Sequence, residues 1–268
     1  MIRLHDQLGR ELQFKTAPKR IVSLVPSQTE LLVDLGLEAF IVGVTKFCVH
    51  PVHIRKSATI VGGTKQVHYD KIKALQPDVI LCNKEENTKE MVEALENIAP
   101  VHVSEIYTIH DTVDLIEHYG KLFTIESKAN SINVQLVQLY NAFKADMELK
   151  KPIKVAYFIW RKPWMVAANN TIIQHLLSLN KFENVYTELN RYPEVSIETL
   201  KTTHQPDVIL LSSEPYPFKE KHILELQQIL PQQQILLVDG EYFSWYGTRL
   251  LGAFDYFKTL RTKIETLV

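Results

Sequence analysis

Six consecutive residues, Gln-Pro-Asp-Val-Ile-Leu, occur twice in this chain, at Gln76–Leu81 and again at Gln205–Leu210. The flanks agree as well: Tyr69-Asp70-Lys71-Ile72-Lys73-Ala74-Leu75 precedes the first copy and Val195-Ser196-Ile197-Glu198-Thr199-Leu200-Lys201 the second. Each copy predicts a short amphipathic helix, a Pro-Asp turn and a strand. Proline fixes its own φ and pushes the residue before it out of the helical region, so the helix ends there. The runs Val79-Ile80-Leu81 and Val208-Ile209-Leu210-Leu211 are short, branched and flanked by polar residues, as in strands buried on both faces. A spacing of roughly 130 residues far exceeds the period of a solenoid unit, so each copy marks one half of a fold. The repeat predicts two similar α/β lobes.

The rest of the chain fits that plan. Residues 1–19 form a polar lead-in with an edge hairpin around Gly9. Arg20–Val25 predicts a strand, Leu31, Leu32 and Leu35 a helix, and Phe40–Val44 a second strand, the rhythm of a parallel sheet. Ser27, with Glu30 three residues on, has the chemistry of a helix N-cap and capping box. Further helices are expected from Thr88 to Ile98 and from Ile109 to Phe123, with a strand at Pro100–Val103 between them. The second lobe restarts with a strand at Ile153–Ile159. A helix capped by Thr171, a strand at Asn184–Tyr186, a strand at Ile235–Val238 and a closing helix from Leu250 follow.

Between the halves, Ser127–Leu149 contains no glycine or proline, and Ile132, Leu136, Leu139, Tyr140, Phe143 and Met147 keep a helical period. At about 1.5 Å per residue such a helix extends about 33 Å. That length serves either as a strut from one lobe to the other or as a helix packed inside the first. The expected organisation is an N-terminal lobe over 1–126, a linking helix over 127–150 and a C-terminal lobe over 151–268.

Composition narrows the function. With 268 residues, 46% hydrophobic and 23% charged, the chain can bury a sizeable core unaided. Lys and Arg number 30 against 31 Asp and Glu, a balance that gives no basic field for nucleic acid. No run of about 18 apolar residues spans a bilayer, and the opening Met1–Arg10 lacks the apolar core of a secretory signal. Two cysteines, Cys48 and Cys82, make no disulfide framework.

In open parallel sheets ligands bind beyond the carboxyl ends of the strands. The segments there carry Phe47, Cys48, His50, Lys84 and Glu85 in the first lobe. In the second they carry Trp160, Arg161, Trp164, Glu214, Tyr216, Phe243, Trp245, Tyr246 and Arg249. All three tryptophans fall in these loops. Flat rings with polar edges suit a broad, partly apolar ligand, and Lys84, Arg161 and Arg249 suit carboxylate or catecholate oxygens on it. Cys48 and His50 have no companion pair with zinc-site spacing, so no metal site is expected. As nucleophile and base they would need an orienting group and an oxyanion hole. Cys82, at the place Leu211 takes in the other half, reads as a buried apolar thiol. Gly62-Gly63 lacks the spacing of a phosphate loop, and no GxxxxGK[ST] motif occurs.

The segment Arg-Ile-Val-Ser-Leu-Val-Pro-Ser-Gln-Thr-Glu-Leu-Leu-Val-Asp-Leu-Gly at Arg20–Gly36 resembles the first strand and helix of the helical-backbone (class III) solute-binding proteins of ABC importers. Val42-Gly43-Val44-Thr45 before the Cys48–Pro51 loop, the turn at Leu75–Ile80 and the loop before the last helix resemble that family too. The resemblance covers essentially the whole chain. It implies two Rossmann-like lobes with parallel sheets, one long connecting helix and a ligand cleft between the lobes. It implies a non-enzymatic, monomeric, periplasmic receptor for a metal chelate or macrocycle, with cobalamin first and a ferric siderophore or haem second, and no intrinsic cofactor. The partner is an ABC-transporter permease, docked through acidic residues for which Glu86, Glu90 and Glu198 are the candidates.

A reading from another class stays open: a cytoplasmic cofactor-handling enzyme on the same fold, with Cys48, His50 and Glu214 as its chemistry.

Overall fold

The computed structural model describes residues 1–268. Strands β1 (Ile2–His5) and β2 (Glu11–Phe14) form an antiparallel hairpin. Gly9 takes φ +76° at its turn, a conformation that strains any side chain, and Asp6 Oδ1 accepts from the backbone N–H of Leu8 and Arg10 at 3.0 Å. Then come β3 (Ile21–Ser23), α1 (Pro26–Asp34), β4 (Ile41–Val44), α2 (Ile54–Ser57), β5 (Thr59–Ile60), α3 (Tyr69–Ala74), β6 (Val79–Asn83), α4 (Lys89–Glu96), β7 (Val101–Ser104), α5 (Ile109–Phe123) and α6 (Glu126–Glu148). The second half runs through β8 (Ile153–Trp160), β9 (Met165–Val166), α7 (Ile172–Leu179), β10 (Phe182–Asn184), β11 (Val208–Ser212), α8 (Glu220–Ile229), β12 (Gln234–Val238), α9 (Gly240–Ser244) and α10 (Leu250–Glu265).

Two compact units result. The first comprises Met1–Val137 with Tyr246–Arg249, the second Gln138–Trp245 with Leu250–Val268. The long helix α6 is therefore shared, its first half counting with one unit and its second with the other. Its buried residues Ala129, Ile132, Leu136, Phe143 and Met147 form a single stripe, as the period predicts.

The first unit holds a parallel sheet in the order β5-β4-β3-β6-β7. The second holds β10-β8-β11-β12, also parallel, with β9 antiparallel on β8. The order β4-β3-β6-β7 is thus matched by β10-β8-β11-β12, and the two copies of the repeat occupy equivalent strands, β6 and β11. Both are buried along their whole length. The glutamine before each proline is left-handed, Gln76 at φ 46° and Gln205 at φ 39°, so both turns leave the preceding segment in the same way. Around β6 pack Val22, Leu24, Leu95, Val101 and Val103, and around β11 pack Ala156, Phe158, Val166, Leu226 and Ile235. Each of the larger of these side chains contributes roughly 1.5–3 kcal/mol by leaving water. Cys82 sits in the first of these clusters as Leu211 does in the second, and both cysteines are free thiols.

Several local expectations change. The segment before the second copy is not an amphipathic α-helix but a π-helical turn over Leu200–His204, whereas the first copy has the helix α3. Helix α1 is not capped by Ser27: Val25 is the extended N-cap, Pro26 opens the helix, and Ser27 is buried. Proline suits that first position because its missing N–H would have no partner there. Thr171 does cap α7, accepting from Gln174 N at 3.1 Å. Strand β10 begins two residues before the expected start, and α8 fills a stretch that carried no expectation.

Candidate functional site

In the first unit the strand ends converge on a buried amide. Gln28, near the start of α1 and without exposed surface, places Nε2 3.1 Å from the Cys82 carbonyl, 2.7 Å from Ser104 Oγ and 2.9 Å from the Tyr246 hydroxyl. Its Oε1 accepts from the Tyr119 hydroxyl at 2.6 Å. Asn83 continues the network, donating to Ser104 Oγ at 3.0 Å while its Oδ1 accepts from the N–H of Glu85 and Glu86. Burial pushes the Tyr119 and Tyr246 phenols up, so both stay protonated and serve as fixed dipoles.

The segment Tyr246–Arg249 packs on α1. Gly247 takes φ +81° with its Cα against Leu31, where a Cβ would lie 3.1 Å from the Leu31 Cβ. Thr248 donates to the Asp34 carboxylate, and Arg249 holds Glu30 at 2.7 Å. Burial raises the Glu30 pKa, while Arg249 and then His50 draw it back down. This places three groups in one electrostatic neighbourhood, of which Glu30 carried only a capping role in the sequence reading.

Among the other candidates here, Phe47 keeps 49% of its surface exposed, with Lys46 Nζ 5.0 Å from its ring centroid. Lys84 is exposed and paired with Glu105, and Glu85 is half-buried. Cys48 corrects the expectation of a ligand contact: it has no exposed surface, and its Sγ lies 3.1 Å from Thr29 Oγ1 and 3.3 Å from Thr45 Oγ1. Burial pushes its thiol up, so it is a neutral packing group without the thiolate that nucleophilic chemistry requires. Glu86 is half-buried, and burial followed by the Glu85 charge raises its carboxyl. Glu90 is exposed at the start of α4, where its own backbone N–H and the Thr88 hydroxyl lower its pKa.

The second unit brings rings together beyond β8 and β11. The Trp160 edge meets Tyr216 at 5.6 Å between centroids, Tyr216 meets Phe218 at 4.8 Å, and Phe218 stacks on Trp164 at 6.0 Å with planes 7° apart. Arg161 lies over the Trp164 ring at 5.7 Å and pairs with Glu225. His222, absent from the sequence expectation, completes the cluster with Nε2 3.2 Å from the Tyr216 hydroxyl. Trp160 is the tryptophan with substantial exposure, 39%; Trp164 is partly covered by the core beneath it, and Trp245 is 7% exposed.

Phe243 also corrects an expectation. It is fully buried against Tyr157 and Phe257 at 5.1 and 4.8 Å, because the single turn of α9 points it into the core. Glu214 accepts from Ser244 Oγ at 2.5 Å, and the absence of a side chain at Gly240 leaves it room: a Cβ there would meet Glu214 Cγ at 2.7 Å. Glu198 is exposed and 3.4 Å from Lys201.

Two hollows lie elsewhere. One of about 780 Å³ follows the β10 edge among Lys154, Phe182, Asn184 and His204, and one of about 300 Å³ lies among Gln7, Glu105, Asp111 and His118. None of the expected site residues lines either. No group of three His, Cys, Asp or Glu side chains is placed to hold a metal ion, and no helix is long and apolar enough to cross a membrane.

Comparison with known proteins gives a consistent picture. Residues 21–232 match the family model described as periplasmic binding protein. YvrC of Bacillus subtilis, an uncharacterized ABC transporter substrate-binding lipoprotein, is 27% identical over 147 residues, 55% of this chain and 45% of that protein. The match thus spans under half the length of that relative. The vitamin B12-binding protein of Vibrio parahaemolyticus is 25% identical over 196 residues, 72% of this chain and 70% of its own. The periplasmic haem-binding protein RhuT from Roseiflexus sp. RS-1, solved in its apo form, superposes with a TM-score of 0.79 at 18% identity, covering 92% of this chain and 99% of that one.

Proposed function

Because the chain belongs to the periplasmic binding protein family, we propose that it is the receptor of an ABC importer for a metal chelate or macrocycle, binding it without turnover. Cobalamin is the first choice of cargo and a ferric siderophore or haem the second. A relative that matches 72% of the chain by sequence is named for vitamin B12, whereas the haem-binding structure shares the fold at low identity.

The observation that carries this reading is the rim of rings and fixed donors beyond the strand ends of the second unit. There Trp160 is exposed beside Tyr216, with Arg161 held by Glu225. A flat ligand gains contact from such rings at little entropic cost, and the guanidinium and phenol meet its oxygens. Phe47, His50 and Arg249 in the first unit, with Lys84 and Glu85, are proposed as further contacts. The strand-end position is the one ligands take in open parallel sheets.

For the permease, we propose Glu198, exposed before the second Gln-Pro-Asp turn, and Asp70, exposed in the first turn of α3 before the first, as acidic residues that meet the partner. They stand ahead of Glu86, whose half-burial among Asn83 and Tyr246 ties it to the strand-end network. Glu90 remains an exposed acid on α4. The reading places the protein on the outer side of the cytoplasmic membrane.

The test is tryptophan fluorescence during titration with cyanocobalamin, haemin and a ferric hydroxamate, corrected for absorption by the coloured ligands. Saturable quenching by one of them is expected and names the cargo. No response to any overturns the reading.

A further inference from the structure

We infer that His222 is a positioning residue: it fixes the Tyr216 hydroxyl as a hydrogen-bond donor, so that the ring-lined rim recognises an acceptor oxygen of its ligand, whether amide carbonyl, carboxylate or phenolate. The inference rests on the receptor reading above and adds to it the polarity of one contact.

The first turn of α8 sets the imidazole's tautomer. The backbone N–H of Lys219 donates to Nδ1 of His222 at 2.9 Å. A ring nitrogen that accepts from an N–H carries no proton, so the neutral imidazole holds its proton on Nε2. Nε2 is 3.2 Å from the Tyr216 hydroxyl, and in this tautomer it donates to the phenol oxygen. Arg161 belongs to the same ring cluster, and a guanidinium only donates. The phenol oxygen thus accepts from His222, and neither neighbour can accept its proton. That proton is left for a group outside the cluster, beside the exposed edge-on ring of Trp160.

The surroundings keep this polarity fixed. His222 is 3% exposed, with its ring against Tyr216 and Phe218, each 5.4 Å away between centroids. The charged groups that face it are Lys221 and Glu225 of α8, Arg161 from the end of β8, and Tyr216 across the ring. Burial first, then Lys221 and Arg161, hold the imidazole below the usual histidine range against the opposing pull of Glu225. Neutral His222 is therefore the form at neutral pH. Protonation at Nδ1 would set two donors against each other at Lys219 and release the ring.

The imidazole combines an acceptor and a donor on one planar group, and the substitutions separate them. His222→Glu keeps the acceptor for Lys219 N–H, as in an ordinary capping box, but removes the donor and offers a competing acceptor for the Tyr216 proton. His222→Gln keeps both functions.

The experiment uses the full chain. Labelled with 15N at its 10 histidines, the ligand-free protein is examined by long-range 1H–15N correlation, with His222→Glu assigning the His222 signals. The Nε2–H tautomer is expected; an Nδ1–H tautomer overturns the inference. Cyanocobalamin and haemin are then titrated into wild type, His222→Glu, His222→Gln, Tyr216→Phe and the double variant Tyr216→Phe/His222→Glu. His222→Glu and Tyr216→Phe should each bind roughly three- to ten-fold more weakly, the range of one hydrogen bond. His222→Gln should bind as wild type, and His222→Glu should add no loss in the Tyr216→Phe background. Wild-type affinity in His222→Glu, or an equal loss with and without the Tyr216 hydroxyl, overturns the inference. If wild type binds neither probe, the cargo proposed above fails, and the tautomer measured on the ligand-free chain decides this inference alone.

Discussion

Asp78 and Asp207 make the same bond in the two units. Asp78 Oδ2 accepts from the backbone N–H of Lys19 and Arg20 at 2.8 and 2.9 Å, just before β3, and Asp207 Oδ2 accepts from Lys154 N at 2.7 Å, at the start of β8. Each aspartate also donates its own N–H to the carbonyl of the facing residue, Arg20 or Lys154, at 2.8 Å. The recurring Pro-Asp therefore does two things at once: proline stops the preceding segment, and aspartate fixes the register of the strand beside it. Replacing either aspartate with alanine is expected to cost about 1 kcal/mol, the worth of a hydrogen bond near the surface. The urea unfolding midpoint reads this, and an unchanged midpoint in both variants would mean that water replaces the carboxylate without loss.

That double role explains why the fold was legible. Branched runs, the turn and the fixed spacing named the sheets in both halves, and the glycine- and proline-free run at Ser127–Leu149 named the long helix α6, though not whether it is shared. Less legible was anything decided by which way a side chain turns. Ser127–Leu149 advertises its stripe through a long period, but α9 is one turn, and no pattern that short says that Phe243 faces the core. The π-helical turn at Leu200–His204 has the same apolar spacing as an α-helix over so few residues, since Ile197 and Leu200 are buried in either case. His222 carried no signal because its role comes from contacts with Tyr216 and Lys219, and the spacing of a lone histidine on α8 does not reveal them.

The Arg249–Glu30 pair sets a pH dependence. Burial raises the Glu30 pKa and Arg249 lowers it, so removing the guanidinium leaves a partly buried carboxylate without its main counter-charge. Arg249→Met is expected to destabilise the chain by about 2 kcal/mol at neutral pH, less than the cost of orphaning a fully buried charge. A carboxyl with a raised folded pKa favours the native state below its unfolded pKa and loses that contribution as pH rises through the folded value. The deficit of Arg249→Met should therefore shrink as pH falls towards 4.5, the ordinary value of a glutamate, and Glu30→Gln in the same background should remove it. Thermal melts across that range decide; a deficit independent of pH would show that Arg249 acts through packing.

Trp160 should dominate collisional quenching. With Trp245 7% exposed and Trp160 39% exposed, acrylamide reaches chiefly the latter. Trp160→Phe is expected to lower the Stern–Volmer slope by more than half and to remove most of any ligand-induced quenching. An unchanged slope would mean that Trp164 is the accessible ring.

The two thiols should resist modification in the folded chain. Burial pushes up both Cys48 and Cys82, and neither has exposed surface. Reaction with a disulfide reagent is expected to wait on unfolding, at least a hundredfold slower in buffer than in concentrated guanidinium by the thiolate argument and by access. Cys48→Ala should leave ligand binding intact while costing about 1–2 kcal/mol, from a small cavity and two hydroxyls left without their sulfur partner. Fast labelling of the native protein would contradict the burial of Cys48 and reopen its chemistry.

His102 should supply the acid limb of the stability curve. It lies on β7 with no exposed surface, edge-on to Tyr119 at 5.4 Å and to His118 at 6.1 Å. Burial lowers its pKa to about 4 against 6.5 in the open chain, with Asp6 pulling the other way. Below 6.5 the unfolded chain therefore takes up a proton that the native state refuses. The contribution is fully present above that value and is lost as pH falls through about 4, over which span it amounts to up to about 3 kcal/mol. Asp6, whose carboxyl is held down by Arg10 and by the backbone N–H of Val103 despite burial, adds a loss at still lower pH. Replacing His102 with leucine removes the titrating ring and should flatten the stability curve between pH 6.5 and 4 while leaving the Asp6 limb below it. Chemical denaturation at half-unit steps of pH distinguishes the two, and a His102→Leu curve as steep as wild type through that window would assign the acid limb to other groups.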